Sequence, residues 1–506
     1  MALQWLTLVC AIWLQSINGT NSNFPSYSSQ LKRILSISQL QLNNIASASD
    51  AGKLLGFISG IASAYLPLWL VLFIGSILGF ISYGFQFLFL ANQISSLSYW
   101  QIFLLNSVAG HSICWINTVC YIIAIRNFPL DRQIAVGLST SYVGLSAKIY
   151  TSIVDFVAPN SPNERAKVFL LLNSVLPVLV CVVAAPLVRE LNVGKSKKLE
   201  KGFFAMFMIV IVTGIFAVIS SLGSVSSRFL PKYVIFIGLL VLLLLPLVIP
   251  LGEVIREKLE QKCLIRVHDH EGFASRENSG EKLDGESGVL GQIGAKLMLR
   301  KFEFWLYFFV YLFGATLGLV YLNNLGQIVE SRGCSGTSSL VSLSSALGFF
   351  GRLLPCLFDH FFPKCNRGLS GAAAMGAMMT PMCGAFFILL SQRDISLYIS
   401  TTIIGICTGA ITELFGTKCF AVNHNILVSN IPIGSFLFGD VAALLYKRGR
   451  SSSGEGNCMG EKCYQTTFII WGSLCVFGTL LAFILHARTK KLYSHNRLCI
   501  EGNLDT

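Results

Sequence analysis

Residues 252–301 read GEVIREKLEQKCLIRVHDHEGFASRENSGEKLDGESGVLGQIGAKLMLRK and form the only long hydrophilic stretch in the chain. They hold nine basic and nine acidic residues in fifty positions. Eight apolar segments precede the stretch and six follow it, each long enough or nearly long enough to cross a bilayer. It therefore reads as a soluble linker between two membrane halves. Its start, with Ile255, Leu259 and Cys263 at helical spacing, predicts a short amphipathic helix lying along the cytosolic face. Its later part, rich in Gly, Ser and charge, reads as disordered.

Composition supports the same class. Hydrophobic residues make up 53% of the 506 and charged residues 12%, a balance that a soluble domain could not carry on its surface. The net charge of +13 sits in short runs beside apolar segments, such as Lys195, Lys197, Lys198 and Lys201, or Arg488, Lys490 and Lys491. That pattern anchors cytosolic loops by the positive-inside rule and does not describe a nucleic-acid surface. The fifteen cysteines are scattered mainly through apolar segments, so neither a disulfide framework nor a metal site is expected. The exception is Cys458 with Cys463, in a hydrophilic loop that the topology places outside the cytosol, where a disulfide persists.

A spanning helix needs about 20 mostly apolar residues. That ruler places helices near 2–20, 47–66, 69–91, 99–124, 134–157, 166–188, 203–222 and 231–251, then near 302–324, 336–357, 370–391, 396–415, 424–446 and 466–487. The first reads as a retained span rather than a cleaved signal, because it lacks a basic start and an A-x-A site and contains Trp5 and Trp13. The sequon Asn18-Gly19-Thr20 lies too close to the bilayer for glycosylation. With both termini cytosolic, Arg126, Arg132, the 189–201 cluster, the linker, Arg352, Lys364, Arg367 and the tail fall on one face. Two runs disagree, Lys32 with Arg33 and Lys447, Arg448 and Arg450.

An internal repeat sharpens the layout. Trp5-Leu6 aligns with Trp305-Leu306, Gly52-Lys53-Leu54-Leu55 with Gly351-Arg352-Leu353-Leu354, and Gly144 with Gly439, at separations drifting from 300 to 295 residues. The layout is then a six-helix bundle at 1–188, two inserted spans at 189–251, the cytosolic linker at 252–301, a second six-helix bundle at 302–487 and a cytosolic tail at 488–506. The fold class is an all-α polytopic membrane protein with about 12 to 14 spans.

Particular stretches carry a family resemblance. NFPSYSS at 23–29, Gln41-Leu42, ASDAGK at 48–53, SICWINT at 112–118, RNFP at 126–129, NNLGQ at 323–327, ELFGTK at 413–418, NHN at 423–425 and NIPIGS at 430–435 run from end to end. Together they resemble plant nodulin-like proteins of the nuclear-fusion-defective type, which belong to the major facilitator superfamily and are similar to oxalate/formate-antiporter-like carriers. The resemblance implies two bundles rocking about a central site, and it implies transport without naming a cargo. One departure is the turn at Tyr65-Leu66-Pro67-Leu68, which lacks the acidic-and-basic signature that many facilitators carry there; nearby Lys53 and Arg352 do not restore it.

Ionisable groups at membrane depth usually face the bundle interior or a wet cavity. His111, mid-helix with Asn106 and Asn117 and paired i, i+4 with Trp115, is the candidate for proton coupling; the competing reading is a neutral His bonded to a neighbouring helix. Lys148 and Asp155 are about 10 Å apart on one face of the fifth helix, too far for a simple pair, and Asp440 is a candidate acidic partner. Glu413, expected at a watery helix end with Lys418 and His424, and Arg352 read as gate contacts. By the resemblance, helices one, four, nine and twelve line the cavity, adding Asn18, Thr20, Tyr321, Asn324 and Thr408. Gly137, Gly144, Gly434 and Gly439 let helices approach closely.

No Walker-type loop, HExxH or GxSxG occurs, so neither an ATP-driven pump nor an intramembrane hydrolase is expected, and no cofactor is expected. The chain is expected to be a non-enzyme whose partners are the lipid bilayer and a small polar or anionic solute, with protons as a coupling ion and without nucleic acid. A receptor or scaffold that kept the carrier fold is the alternative.

Overall fold

The computed structural model describes residues 1–158, 161–191, 199–222, 231–268, 300, 302–334, 336–361, 371–418, 429–451 and 458–501, and among them every regular element is helical. The first rod is α1 (Ala2–Ile17), a 3-10 turn (Thr20–Asn23) and α2 (Phe24–Leu35); the second is α3 (Gln39–Gly52), a 3-10 turn and α4 (Gly56–Tyr65). Then come α5 (Leu68–Leu90), α6 (Tyr99–Asn127), α7 (Arg132–Val157) and α8 (Pro162–Ala184). After α9 (Glu200–Ser221), α10 (Lys232–Leu244) runs through a 3-10 turn into α11 (Val248–His268). The remaining rods are α12 (Phe302–Tyr311) joined by a π-turn to α13 (Leu317–Ser331), α14 (Thr337–Phe361), α15 (Gly371–Ile388), α16 (Asp394–Lys418), α17 (Asn430–Ser451) and α18 (Gln465–Glu501).

Ten of these rods are long and apolar enough to cross a membrane. Outer faces expose Ile77, Phe80, Leu179, Val183, Leu240 and Val241, an apolar surface suited to lipid rather than water. The molecule is an integral multi-pass membrane protein.

The first two rods depart from the expected 2–20 and 47–66. The first continues to Leu35, and the second starts at Gln39, behind a capping box in which Ser38 and Gln41 satisfy each other's backbone N–H. A ruler for apolar runs stops at polar residues, yet Asn23, Ser28, Gln39, Asn43, Ser47 and Asp50 are buried against other helices and never meet lipid. The linker's first helix differs as well: α11 continues the α10 rod, exposing Ile255 and Leu259. The Met1 ammonium pairs with Glu257 at 3.0 Å, and Trp13 Nε1 donates to the Leu243 carbonyl at 2.7 Å, holding this rod against α1. The disordered reading for the later linker lies outside the described residues.

Two seams join the halves. In one, α7 packs on α14 so closely that a Cβ on Gly144 would sit 2.5 Å from Phe349 N, and one on Gly137 would sit 2.7 Å from Cys356 Cβ. Small residues are what allow such approach between membrane helices. In the other, α3 meets α17, with Asn43 Nδ2 donating to the Gly439 carbonyl at 2.7 Å. Gly439 itself has ordinary room, its nearest neighbour lying 3.8 Å from an added Cβ.

The α9 helix lies against the first seam. Phe207 lies tilted against His360 at 5.1 Å between ring centroids, and buried Lys148 on α7 donates to the Ser220 carbonyl at 3.0 Å, at the C-terminal end of α9 where a cation complements the helix dipole. Backbone contact at the first seam has a measurable consequence. Gly144→Val should lower detergent stability by on the order of 1–3 kcal/mol through overpacking, read as a fall in melting temperature by scanning fluorimetry. Gly60→Ala, whose Cβ meets nothing within 4 Å, should leave the melting temperature unchanged.

Candidate functional site

Between the halves lies a cavity of about 340 Å³. Its position follows from a break in the first rod. At Gly19 a Cβ would meet Ser146 Cβ at 2.7 Å, and the Gly19 amide donates to Ser146 Oγ at 3.1 Å. Tyr150 Oη donates to the Ile17 carbonyl at 3.0 Å, while Asn18 Nδ2 donates to the Ile113 carbonyl at 3.1 Å and to Asn117 Oδ1 at 2.9 Å. Unwound backbone at membrane depth is tolerated where it is satisfied by protein or lines a cavity. Both conditions hold, because Asn21, Ser22 and Pro25 just after the break form part of the wall.

The wall carries the repeat. Ile113, Cys114, Asn117 and Thr118 of α6 line it, and so do Thr408, Gly409, Thr412 and Glu413 of α16, each 295 residues further on. Lys53 and Arg352, aligned in the repeat, both reach it, one from each half. Tyr121, Thr140, Tyr311, Asn323, Ser344 and Ser345 add further polar groups.

The charges are held by bonds that cross between halves. Buried Asp50 accepts from Lys53 Nζ at 2.8 Å and, through its other oxygen, from Ser435 Oγ of α17 at 2.7 Å. Glu413, only 4% exposed, accepts from Thr140 Oγ1 of α7 at 2.9 Å, and Arg352 is the cation whose charge acts on it. Each carboxylate thus accepts from a hydroxyl of the opposite half while a cation of its own half sits nearby. Buried charges persist when paired and hydrogen-bonded in this way.

Further cross-half bonds cluster on the face where Cys458 is disulfide-bonded to Cys463. There Glu330 accepts from Ser29 at 3.0 Å and from Arg33 at 3.3 Å, and Gln327 Nε2 donates to Ser28 Oγ at 2.8 Å. Arg165 bonds Asp155 at 2.6 Å and Ser338 Oγ at 2.9 Å. Lys32 donates to Gln39 and lies over the Tyr446 ring at 5.5 Å. Lys32 and Arg33, which fit the charge rule poorly, are therefore occupied by protein partners.

The sequence candidates separate in space. Asn117, Thr408, Arg352 and Glu413 line the cavity, and Glu413 is buried in its wall instead of at a watery helix end. His111 is not among the lining residues; its Nε2 accepts from Trp115 Nε1 at 2.9 Å. Asn106 donates to the Ile102 carbonyl at 3.0 Å, Asn324 to the Val320 carbonyl at 2.9 Å, and Tyr321 Oη bonds Thr401 Oγ1 at 2.7 Å. Thr20 Oγ1 accepts from Tyr83 at 3.0 Å. Lys148 is taken by Ser220 and Asp155 by Arg165, so neither meets Asp440, which lies on α17. Lys418 ends α16 with its side chain outside the described set, and His424 lies outside the described residues.

Sequence reading missed Asp50, Thr140 and Ser435 and gave Lys53 no role. The repeat held a signal for Lys53, since it pairs Lys53 with Arg352, and Asp50 stands one helical turn before it.

Comparisons with known proteins agree with this architecture. The nodulin-like family matches residues 4–251, and the NFD4 C-terminal domain matches residues 286–495. The chain is 37% identical over 532 residues to Protein NUCLEAR FUSION DEFECTIVE 4 of Arabidopsis thaliana, covering 97% of this chain and 89% of that one. In fold it is similar to a bacterial homolog of the human lysosomal transporter Spinster, with a TM-score of 0.56 and 12% identity over 95% of this chain and 96% of that one. It is also similar to the xylose transporter XylE from E. coli, with a TM-score of 0.52 and 12% identity over 95% of each chain. The fold is of the major-facilitator type, and the chain belongs to the nodulin-like family, with an NFD4-type C-terminal domain.

Proposed function

We propose that the protein is a secondary carrier that moves a small polar or anionic solute by alternating access, with both termini in the cytosol. The observation that carries this reading is the cavity between the halves, walled by equivalent residues of the two repeats and reached by Lys53 and Arg352. A site shared by two repeats can pass from one side to the other as the bundles rock about it. The bonds among Ser28, Ser29, Arg33, Gln327 and Glu330 act as the gate on the disulfide face. The Thr140–Glu413 bond is a latch between halves that must break and reform in each cycle. His111 stands outside the cavity, where its Nε2 accepts from Trp115 and its buried Nδ1 has no partner among the described residues.

Purified protein in liposomes, offered a mixed panel of metabolites, should take up at least one solute faster than protein-free liposomes; no flux from any member removes the carrier reading. Arg352→Gln should cut that flux roughly tenfold or more, as expected for losing a charge-assisted bond of about 1.5–3 kcal/mol, and should lower the melting temperature as well, because buried Glu413 loses its cation. His111→Gln should leave both the flux and its response to a pH gradient unchanged, and a flattened pH response in this variant would restore His111 as the coupling group.

A further inference from the structure

We infer that Lys148 is a positioning residue of the transport cycle: it fastens α9 to α7, so that α9 and α10 travel with the N-terminal half while α14 slides along α9. This rests on the carrier reading and adds a moving part to it.

A helix that touches both halves of a rocking carrier can keep its contacts with only one of them. α9 is such a helix, packed along α14 of the C-terminal half and against α7 of the N-terminal half. The two sides differ in the kind of contact they make.

Toward the N-terminal half the contacts are directional. At one end of α9 the Leu199 amide donates to Asp131 Oδ2 at 3.4 Å, where α7 begins. At the other end the Ser220 carbonyl accepts from Lys148 Nζ at 3.0 Å. α9 and α7 therefore run side by side in the same direction, bolted at both ends. The Lys148 bond satisfies two costly groups at once: a buried ammonium, and one of the last carbonyls of α9, which have no partner within their own helix. Trp5 of α1 lies so close to Gly202 that an added Cβ would sit 2.1 Å from its Cζ2, and its ring meets Phe203 edge-on at 4.9 Å. α10 is held by the same half, since Trp13 Nε1 donates to the Leu243 carbonyl at 2.7 Å and Phe236 stacks on Phe156 of α7 at 5.3 Å.

Toward the C-terminal half the contacts of α9 are aromatic. Gly214 makes room for Phe350, whose Cζ would lie 2.4 Å from an added Cβ. Phe207 meets His360 at 5.1 Å and Phe361 at 5.8 Å between ring centroids. Ser345 of α14 reaches past α9 to α7, accepting from the Lys148 amide at 3.0 Å and donating to the Gly144 carbonyl. Ring contacts are individually weak and re-form at a new offset, whereas a hydrogen bond broken at membrane depth leaves its groups without water to turn to. When the halves rock, the aromatic side gives way and the bolted side holds. α14 also carries Arg352 to the cavity wall, so its slide along α9 moves Arg352 relative to Lys53. Lys148 is not among the cavity-lining residues and acts on transport through α9.

Two cross-links in full-length protein in liposomes test this, with flux of whichever panel solute is carried as the readout. Each link is made with a short bifunctional methanethiosulfonate and confirmed by mass spectrometry before flux is measured. Phe207→Cys with His360→Cys ties α9 to α14 and should cut maximal flux roughly tenfold or more, because alternating access needs the halves to move; reductant should restore it. Phe156→Cys with Phe236→Cys ties α10 to α7 and should leave flux at the level of wild-type protein treated in the same way. Flux that survives the first link, or is lost with the second, overturns the inference. Lys148→Met should lower maximal flux severalfold with KM unchanged, and Lys148→Arg, which keeps the cation, should restore it. A raised KM with maximal flux kept would put Lys148 in solute binding and overturn its positioning role, as would unchanged flux. Should Lys148→Met fail to assemble, the two cross-links decide. Absence of flux from every panel member in the unmodified protein is a separate outcome, which removes the carrier reading and this inference with it.

Discussion

A polar group inside a bilayer has no water to turn to, so its partner must come from the protein. That constraint explains the irregular first rod. Once the chain unwinds after Ile17, its free backbone groups need donors and acceptors, and α6 and α7 supply them through Asn117, Ser146, Tyr150 and the Ile113 carbonyl. The same requirement fixes which helices stand against the break. The cavity lies beside it because residues just past the break cannot pack as closely as a continuous helix.

The physics also separates what the sequence displayed from what it concealed. Segments facing lipid on their outer side, such as α5, α8 and α9, must be apolar for about 20 residues, and they were legible to within a few residues. The polar halves of the first two rods face only protein, and an apolar ruler could not follow them. The duplicated architecture was visible because spacing survives where residue identity does not, and it aligned Lys53 with Arg352 before any contact was known.

The site was less legible, because pairing across helices leaves no periodic trace along the chain. Asp50 looks like one acidic residue in a polar stretch until Ser435, 385 residues away, is brought to 2.7 Å. His111 drew notice because a mid-membrane histidine is rare, yet its partner is Trp115 four residues on, within its own helix. Lys148 shows a third outcome: its buried amine serves the C-terminal end of α9, a helix outside the duplicated bundles. Local rarity marks where polar groups are costly. It does not say which of them meet.

The two seams between halves solve one problem in different materials. At α7 and α14 the backbones touch through Gly144 and Gly137, and many small dispersion contacts resist any sliding. At α3 and α17 the halves are joined by discrete hydrogen bonds, from Ser435 to Asp50 and from Asn43 to the Gly439 carbonyl. The glycine contacts respond little to charge, since each sets backbone against backbone or against a small side chain. A hydrogen-bonded seam whose acceptor is a carboxylate changes strength when that carboxylate is neutralised, by roughly the difference between a charge-assisted and a neutral bond. The α3–α17 seam is therefore a charge-dependent contact between the halves, as is the Thr140–Glu413 bond between α7 and α16, while the glycine contacts of α7 and α14 owe their strength to close packing.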